Sequence, residues 1–431
     1  MRLWASHCGS LHNHKKALKN DLYLQTVDSN PALTALLQSR SVLLLQGPVG
    51  PFFDRLTEWL KAKGVPLVNR VVFSGGDEWD CRAQIPLHFK STLVEWPMYL
   101  QYLFNTFKVD CIVLFGQARP HHAKAMVLAS LLGIKVVVVE EGYFRPRYLT
   151  LELGGVNGYS STLERYRWSF DTSTPPAAPP ISAWEQSVRM GWYAAVHYAA
   201  MAWRHSHFPF YQHHKNTSVV QQAAYWLRSW AKKAMHQRQD TRKLAAMEGG
   251  SYFFVPLQHD LDAQIELHSA FAKNTDFIMQ VMQSFAQHAP SHSLLVIKQH
   301  PMSRGGKGHG VIVAAKAKEL GIAHRVVFLT EGKAGLLVKK AQGVVCINST
   351  VGLIALQQGK PLCALGEAIY GDFDGVFKGG LDAFWGIQAH VQSLLCIRQM
   401  AALQHLTQMP GDLYGHANIA LQWPDPRGYT A

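Results

Sequence analysis

In the first third of the chain, runs that are apolar at nearly every position alternate with stretches whose apolar residues recur every three to four positions. The runs are 41–46 (SVLLLQ), 67–73 (LVNRVVF), 110–115 (DCIVLF) and 135–140 (KVVVVE). Such alternation predicts βαβ units, and a strand apolar throughout, as at 136–139, suits a parallel sheet covered on both faces. An N-terminal Rossmann-like lobe is expected over 41–155, after an irregular lead over 1–40. The pattern stops at 172–180 (TSTPPAAPP), where prolines forbid both helix and central strand.

From about 181 to 247 the spacing turns helical, with Val220, Ala223, Ala224, Leu227, Trp230 and Ala234 on one face. Strand-like runs resume at 251–257 (SYFFVPL), 294–300 (LLVIKQH), 325–329 (RVVFL), 343–348 (GVVCIN) and 360–365 (KPLCAL). They predict a second Rossmann-like lobe over 249–400, with a Pro-rich linker and helical insert over 156–248 and an irregular tail over 401–431. The expected fold class is α/β: two lobes facing a cleft, with ligands at the carboxyl ends of their strands.

Composition adds a size and a sign. A chain of 431 residues is long enough for two domains, and 48% hydrophobic against 16% charged residues excludes a mainly disordered protein. The net charge of +13 favours an anionic partner, whether nucleic acid, acidic lipid or a phosphorylated or carboxylated substrate. Between Gln186 and Gln239 there is no acidic residue. Arg189, Arg204, Lys215, Arg228, Lys232, Lys233 and Arg238 lie there, interleaved with Trp192, Trp203, Trp226 and Trp230. That composition fits an interfacial surface for anionic lipid, and equally an aromatic core with a solvated basic face. The segment 190–203 is too short to span a bilayer, and no run of 18 apolar residues occurs. Six scattered cysteines without a CxxC pair, and a start without a secretory apolar segment, point to a cytoplasmic protein with reduced thiols. No nucleic-acid-binding motif accompanies the charge.

Candidate chemistry collects at the predicted strand ends. The first strand breaks into Gln46-Gly47-Pro48, and another ends at Gly116 ahead of Arg119, His121 and His122. A guanidinium there suits a carboxylate or phosphate; Arg119 could also be structural. Glu140 and Glu141 leave a wholly apolar strand, where partial burial tunes a carboxyl for acid/base work, and Arg145 follows. In the second lobe, Lys298-Gln299-His300-Pro301 closes one strand, and Asn348-Ser349-Thr350 closes another, as a helix cap or a phosphate cradle. Gln258, Asp260, Asp262 and Gln264 follow a third, where the aspartates are either turn residues or functional carboxylates. No P-loop or dinucleotide-binding glycine motif is present.

Taken in order, Gln-Gly-Pro-x-Gly-Pro-Phe-Phe (46–53), Glu-Glu-Gly-Tyr-x-Arg-Pro (140–146), Leu-Gln-x-x-x-Asp-x-Gln-Ile (257–265), His-Pro (300–301) and Asn-Ser-Thr (348–350) resemble the KpsS/LipB family of capsule polysaccharide proteins, over roughly 41–380. The resemblance implies a GT-B-like glycosyltransferase that adds the first β-linked Kdo from CMP-Kdo to a (lyso)phosphatidylglycerol acceptor. It further implies a peripheral site on the cytoplasmic face of the inner membrane, no metal or other cofactor, and as partners a KpsC-type second Kdo transferase and the capsule ABC transporter. In its terms Glu141 is the first choice for acid/base and Glu140 the second. Lys298, His300, Pro301, Asn348, Ser349 and Thr350 would hold the cytidylate phosphate, and Gln46, Gly47, Arg119, His122, Arg145, Gln258 and Gln264 would contact Kdo or acceptor. Retention by double displacement needs a carboxylate nucleophile. In KpsC-type enzymes an Asp before a Gln fills that role; here the position is Leu257, which leaves Asp262 as first candidate and Asp260 as second, with internal return as the alternative. A non-catalytic export scaffold, or a transferase using another CMP- or UDP-sugar, are the other readings.

Overall fold

The computed structural model describes residues 25–26, 29–167, 182–212, 219–247, 249–260, 262–304, 308–387, 393–415 and 423. The proline segment 172–180 and Lys215 lie outside them, as do the side chains of Val220, Ala223, Ala224, Trp226, Leu227, Trp230 and Ala234.

The N-terminal lobe runs α1 (Pro31–Leu37), β1 (Ser41–Leu44), α2 (Phe52–Ala62), β2 (Leu67–Val72), α3 (Gly75–Trp79), β3 (Leu87–His88), α4 (Trp96–Phe107), β4 (Cys111–Phe115), α5 (Pro120–Leu131), β5 (Lys135–Glu141) and β6 (Tyr148–Leu153). Two insert helices follow, α6 (Ala183–Trp203) and α7 (Val219–Ala246). The C-terminal lobe comprises β7 (Tyr252–Pro256), α8 (Asn274–His288), β8 (Leu294–Lys298), α9 (Gly310–Glu319), β9 (Val326–Leu329), α10 (Ala334–Lys340), β10 (Gly343–Cys346), α11 (Val351–Gln357) and β11 (Leu362–Ala364). Helix α12 (Leu394–Thr407) and strand β12 (Gln408–Pro410) then lead the chain back to the first lobe.

Apart from a two-stranded pair of 25–26 with 166–167, the strands form two large sheets that share one plan. Strands β3-β2-β1-β4-β5 are parallel in that order, and β9-β8-β7-β10-β11 repeat it. In each, the order reverses beside the first strand, which opens a crevice at the carboxyl ends of β1 and β4 in one lobe and of β7 and β10 in the other. This is the GT-B-like architecture of two Rossmann-like lobes. Each sheet is covered on both faces, so β1 and β10 are buried at every position and β5 is buried across 136–139.

Beyond the expected pattern, β3 and the antiparallel β6 join the first sheet, and the lead and the tail each add an element. The lead contains α1, capped by Asn30, whose side chain accepts from the N–H groups of Ala32 and Leu33. The tail supplies β12, which pairs antiparallel with β6 and extends the first sheet to seven strands. Met409, Leu413, Tyr414 and Trp423 join α1 and α2 in the core under that sheet.

Candidate active site

The apolar run of β5 carries Glu140 and Glu141 out of the core. Neighbours on a strand face opposite ways, so the two carboxylates meet different surroundings. Glu140 accepts a 2.8 Å hydrogen bond from Asn157 Nδ2. Burial pushes its carboxyl up to about 7; Asn157 and Arg145 oppose the rise, and the negative charges of Asp262 and Glu141 add to it. Glu141 is partly exposed and pairs with Arg145 Nη1 at 2.6 Å. Of the two, Glu140 is the carboxyl raised toward neutrality, and Glu141, the first choice for acid/base, is the one paired with Arg145. Gly142 must be glycine, because a Cβ there would lie 2.0 Å from the Tyr148 carbonyl oxygen.

Across the cleft, the loop after β7 presents the two aspartates differently. Asp260 is held by Asn274 Nδ2 at 2.9 Å and His309 Nε2 at 3.2 Å. Partial burial would raise its pKa, but these bonds bring it down to about 2. Asp262 caps the short helix Ala263–Leu267 through the N–H of Gln264, and its second oxygen is 3.4 Å from Gln258 Nε2. Of the two, it is Asp262 whose charge acts on Glu140 from the opposite lobe.

His300, at the exit of β8, accepts from the Met302 N–H on Nδ1 at 3.2 Å, which leaves the proton on Nε2. Burial, with the charges of His259, Lys298 and Arg145, lowers its pKa to about 4, so the ring is a neutral N–H donor at pH 7. Pro301 opens the 3₁₀ turn that fixes this pose. Ser349 and Thr350 lie at the exit of β10, where the Ser349 carbonyl accepts from Tyr370 Oη at 2.5 Å. Lys298 is turned toward Gln299, Glu331 and Asp240 and is lowered to about 8 by burial.

Several expected contacts hold the loops in shape. Gln258 Nε2 donates to Asn348 Oδ1 at 2.8 Å, and Asn348 Nδ2 donates to the Gln264 carbonyl at 2.9 Å, which ties the exits of β7 and β10 together. Gln46 is buried with its amide on Asp77 and Tyr211, and Gly47 packs against Phe53. His122 is fully buried with Nδ1 2.6 Å from the Gly116 carbonyl, so it shapes the turn after β4. Arg119 donates to the carbonyls of Gln46 and Gly47, at 3.4 and 3.1 Å, and stacks over Phe115.

Between the lobes lies a small pocket lined by Tyr143, Asn157, Gln264, Asn348, Thr350 and Glu367, among others. The pattern of strand ends did not single out Tyr143, Glu152 or Asn157. The one local signal was the Asn157-Gly158 dipeptide, a turn former. Asn157 has φ of +56°, and Gly158 lies so close to the His268 ring that a Cβ would sit 2.2 Å from Nδ1.

The insert helices are each fastened to a different lobe. On α6, His197 Nδ1 is 2.7 Å from Asp80 Oδ2 and Arg204 pairs with Glu78 at 2.5 Å. On α7, Asp240 accepts from the backbone N–H groups of Thr330 and Glu331, both at 2.8 Å. Trp184, Val188, Trp192 and Trp203 are exposed on α6, within about 100° of arc at helical spacing. Among the described residues no helix is long and apolar enough to cross a membrane.

A family model described as capsule polysaccharide biosynthesis protein matches residues 110–414. The capsule polysaccharide export protein KpsS of Escherichia coli is 39% identical over 363 residues, 82% of this chain and 92% of that protein. The capsule polysaccharide modification protein LipB of Neisseria meningitidis serogroup B is 31% identical over 403 residues, 90% of this chain and 95% of the relative. Among solved structures, Thermosulfurimonas dismutans KpsC, a beta Kdo 2,7 transferase, aligns with 86% of this chain and 93% of its own, at 14% identity and a TM-score of 0.39. With two curated relatives matched over nearly their full length and a family model spanning most of the chain, this protein belongs to the capsule polysaccharide biosynthesis family.

Proposed function

We propose that this chain is a retaining glycosyltransferase that moves Kdo from CMP-Kdo to a hydroxyl of a phosphatidylglycerol-type lipid, starting a capsule linker. The observation that carries the reading is the pair of carboxylates offered by opposite lobes, partly buried Glu140 on β5 and Asp262 after β7, whose charge acts on it, with a neutral histidine donor at the exit of β8. In the first displacement Asp262 attacks the anomeric carbon of Kdo, and the bond to the cytidylate phosphate breaks with its electron pair leaving on CMP. His300 Nε2–H and the Ser349 and Thr350 hydroxyls meet the departing phosphate, without a metal. In the second, the acceptor hydroxyl attacks the same carbon, its proton passes to Glu140, and the Asp262 ester bond breaks. Two inversions give retention. A base with a pKa near 7 is matched to this task at neutral pH.

The donor site falls to the C-terminal lobe and the acceptor to the N-terminal lobe, where Arg145, now paired with Glu141, and Arg119, held on the Gln46 and Gly47 carbonyls, are the cations offered to an anionic substrate group. The exposed tryptophans of α6 and the basic residues beside them fit a peripheral position on the cytoplasmic face of the inner membrane. There the chain would work alongside a second transferase and an exporter. Intact-protein mass spectrometry after mixing with CMP-Kdo, without acceptor, tests the chemistry: one added Kdo, lost in Asp262→Asn, supports the covalent route, and a wild-type protein that stays unmodified here yet transfers Kdo with release of CMP once acceptor is added favours internal return. The description of the Escherichia coli relative as an export protein supports a second reading, a glycolipid-binding export component. That reading predicts lipid binding without consumption of any sugar donor.

A further inference from the structure

Glu152 has no part in the reaction scheme, yet it is a carboxylate 1% exposed on β6, with every oxygen engaged. Its Oε1 accepts from Tyr143 Oη at 2.7 Å; its Oε2 accepts from Thr162 Oγ1 at 2.9 Å and from the Ser160 hydroxyl. Tyr143 Oη in turn accepts the backbone N–H of Asn157 at 2.7 Å, and Asn157 Nδ2 reaches Glu140 at 2.8 Å. The carboxylate therefore holds the 157–162 loop at Asn157, through Tyr143, and beyond it at Ser160 and Thr162; Asn157 is an asparagine in the left-handed region. We propose that Glu152 is a positioning residue which, through Tyr143 and Asn157, sets the orientation and proton affinity of Glu140. The proposal rests on Glu140 being the reactive carboxylate.

The electrostatics run the same way. Burial raises Glu152 to about 7 against the pull of Ser160, Tyr143 and Thr162, and the Glu140 charge adds to the rise. The other charged groups facing Glu140 are Arg145 on its own hairpin, Glu141 beside it and Asp262 from the other lobe. A carboxylate that merely anchors a loop changes stability when it is removed. One that sets its neighbour also moves that neighbour's titration, in a direction fixed by what is removed.

Two substitutions remove opposite influences. Glu152→Gln keeps an acceptor for Tyr143 but deletes a negative charge, so Glu140 becomes a stronger acid. Asn157→Ala deletes the N–H that stabilises the Glu140 anion, so Glu140 becomes a weaker acid. The experiment is infrared difference titration of the full chain, with the Glu140 band assigned by its loss in Glu140→Gln and melting temperature recorded in parallel. The expected result is a Glu140 midpoint lowered by on the order of half a pH unit in Glu152→Gln and raised by a similar amount in Asn157→Ala. An unmoved midpoint in both, with only the melting temperature falling, overturns the proposal. If Glu152→Gln does not fold, Asn157→Ala and Tyr143→Phe carry the test, since both loosen the grip on Glu140 and raise its midpoint. No donor or acceptor is used, so the outcome stands apart from whether Kdo transfer is observed.

Discussion

Two adjacent glutamates on one strand end with different chemistry because a pleated strand sends them to opposite sides. Glu141 reaches solvent and an arginine, and Glu140 is left in a desolvated cleft with one amide donor. Replacing the one with the raised pKa should remove the base without disturbing the fold: Glu140→Gln is expected to lower turnover by about 10²–10⁴-fold with CMP binding retained, and Glu141→Gln to lose far less. The pH dependence has a definite sign. A base works deprotonated, and Glu140 sits at about 7, so the rate should rise with pH through about 7 and level off above it. A rate that instead falls across that range would assign Glu140 as a proton donor. At this scale the sequence placed Glu140 and His300 where apolar runs end, and the structure sets both at strand exits. The sequence was silent on Glu152 and Asn157, whose roles arise from hydroxyls and amides brought in by a folded loop. It could not separate ligand contacts from loop braces such as Gln258, Asn348 and His122, because both uses call for the same polar residue at the same strand exit.

Among the elements, nine of the ten parallel strands of the two lobes were legible from their apolar runs, the two-residue β3 being the exception, and the insert helices from their spacing. Strand β12 was not, because 408–410 (QMP) has no alternation to read; its pairing depends on β6 lying beside it. Helix α1 escaped notice because seven residues give too short a period. Helix α6 docks on α3 at a point where only glycine fits: a Cβ on Gly76 would lie 2.6 Å from the His197 ring, and one on Gly75 would lie 2.6 Å from the Ala200 carbonyl oxygen. Gly76→Ala is therefore expected to cost about 1–3 kcal/mol in a denaturant titration and to expose α6 to limited proteolysis. Wild-type protease resistance in that variant would show that the docking is not set by this contact.

For the whole molecule, charge and exposed aromatic surface coincide on the insert. Trp184 and Trp203 carry cationic neighbours, with Lys233 Nζ 5.3 Å from one ring and the Arg204 guanidinium 5.5 Å from the other. Sinking these rings into a headgroup layer buries apolar area while the cations meet anionic lipid. Partitioning onto phosphatidylglycerol vesicles should weaken by about tenfold for Trp192→Ala and fall further with added salt. Equal binding to neutral vesicles, or no effect of the substitution, would place the membrane contact elsewhere. Because α6 is fastened to one lobe and α7 to the other, the surface that would meet the lipid is built into both sides of the cleft.

The central claim is that this cleft transfers Kdo. Mass spectrometry of a phosphatidylglycerol-type acceptor incubated with the protein and freshly generated CMP-Kdo, with CMP-sialic acid as control, tests it most directly. The account predicts a mass gain of one Kdo, with CMP-Kdo alone, and none from Glu140→Gln. A gain from another sugar donor, or no gain from any donor by a protein that binds the lipid, would contradict it.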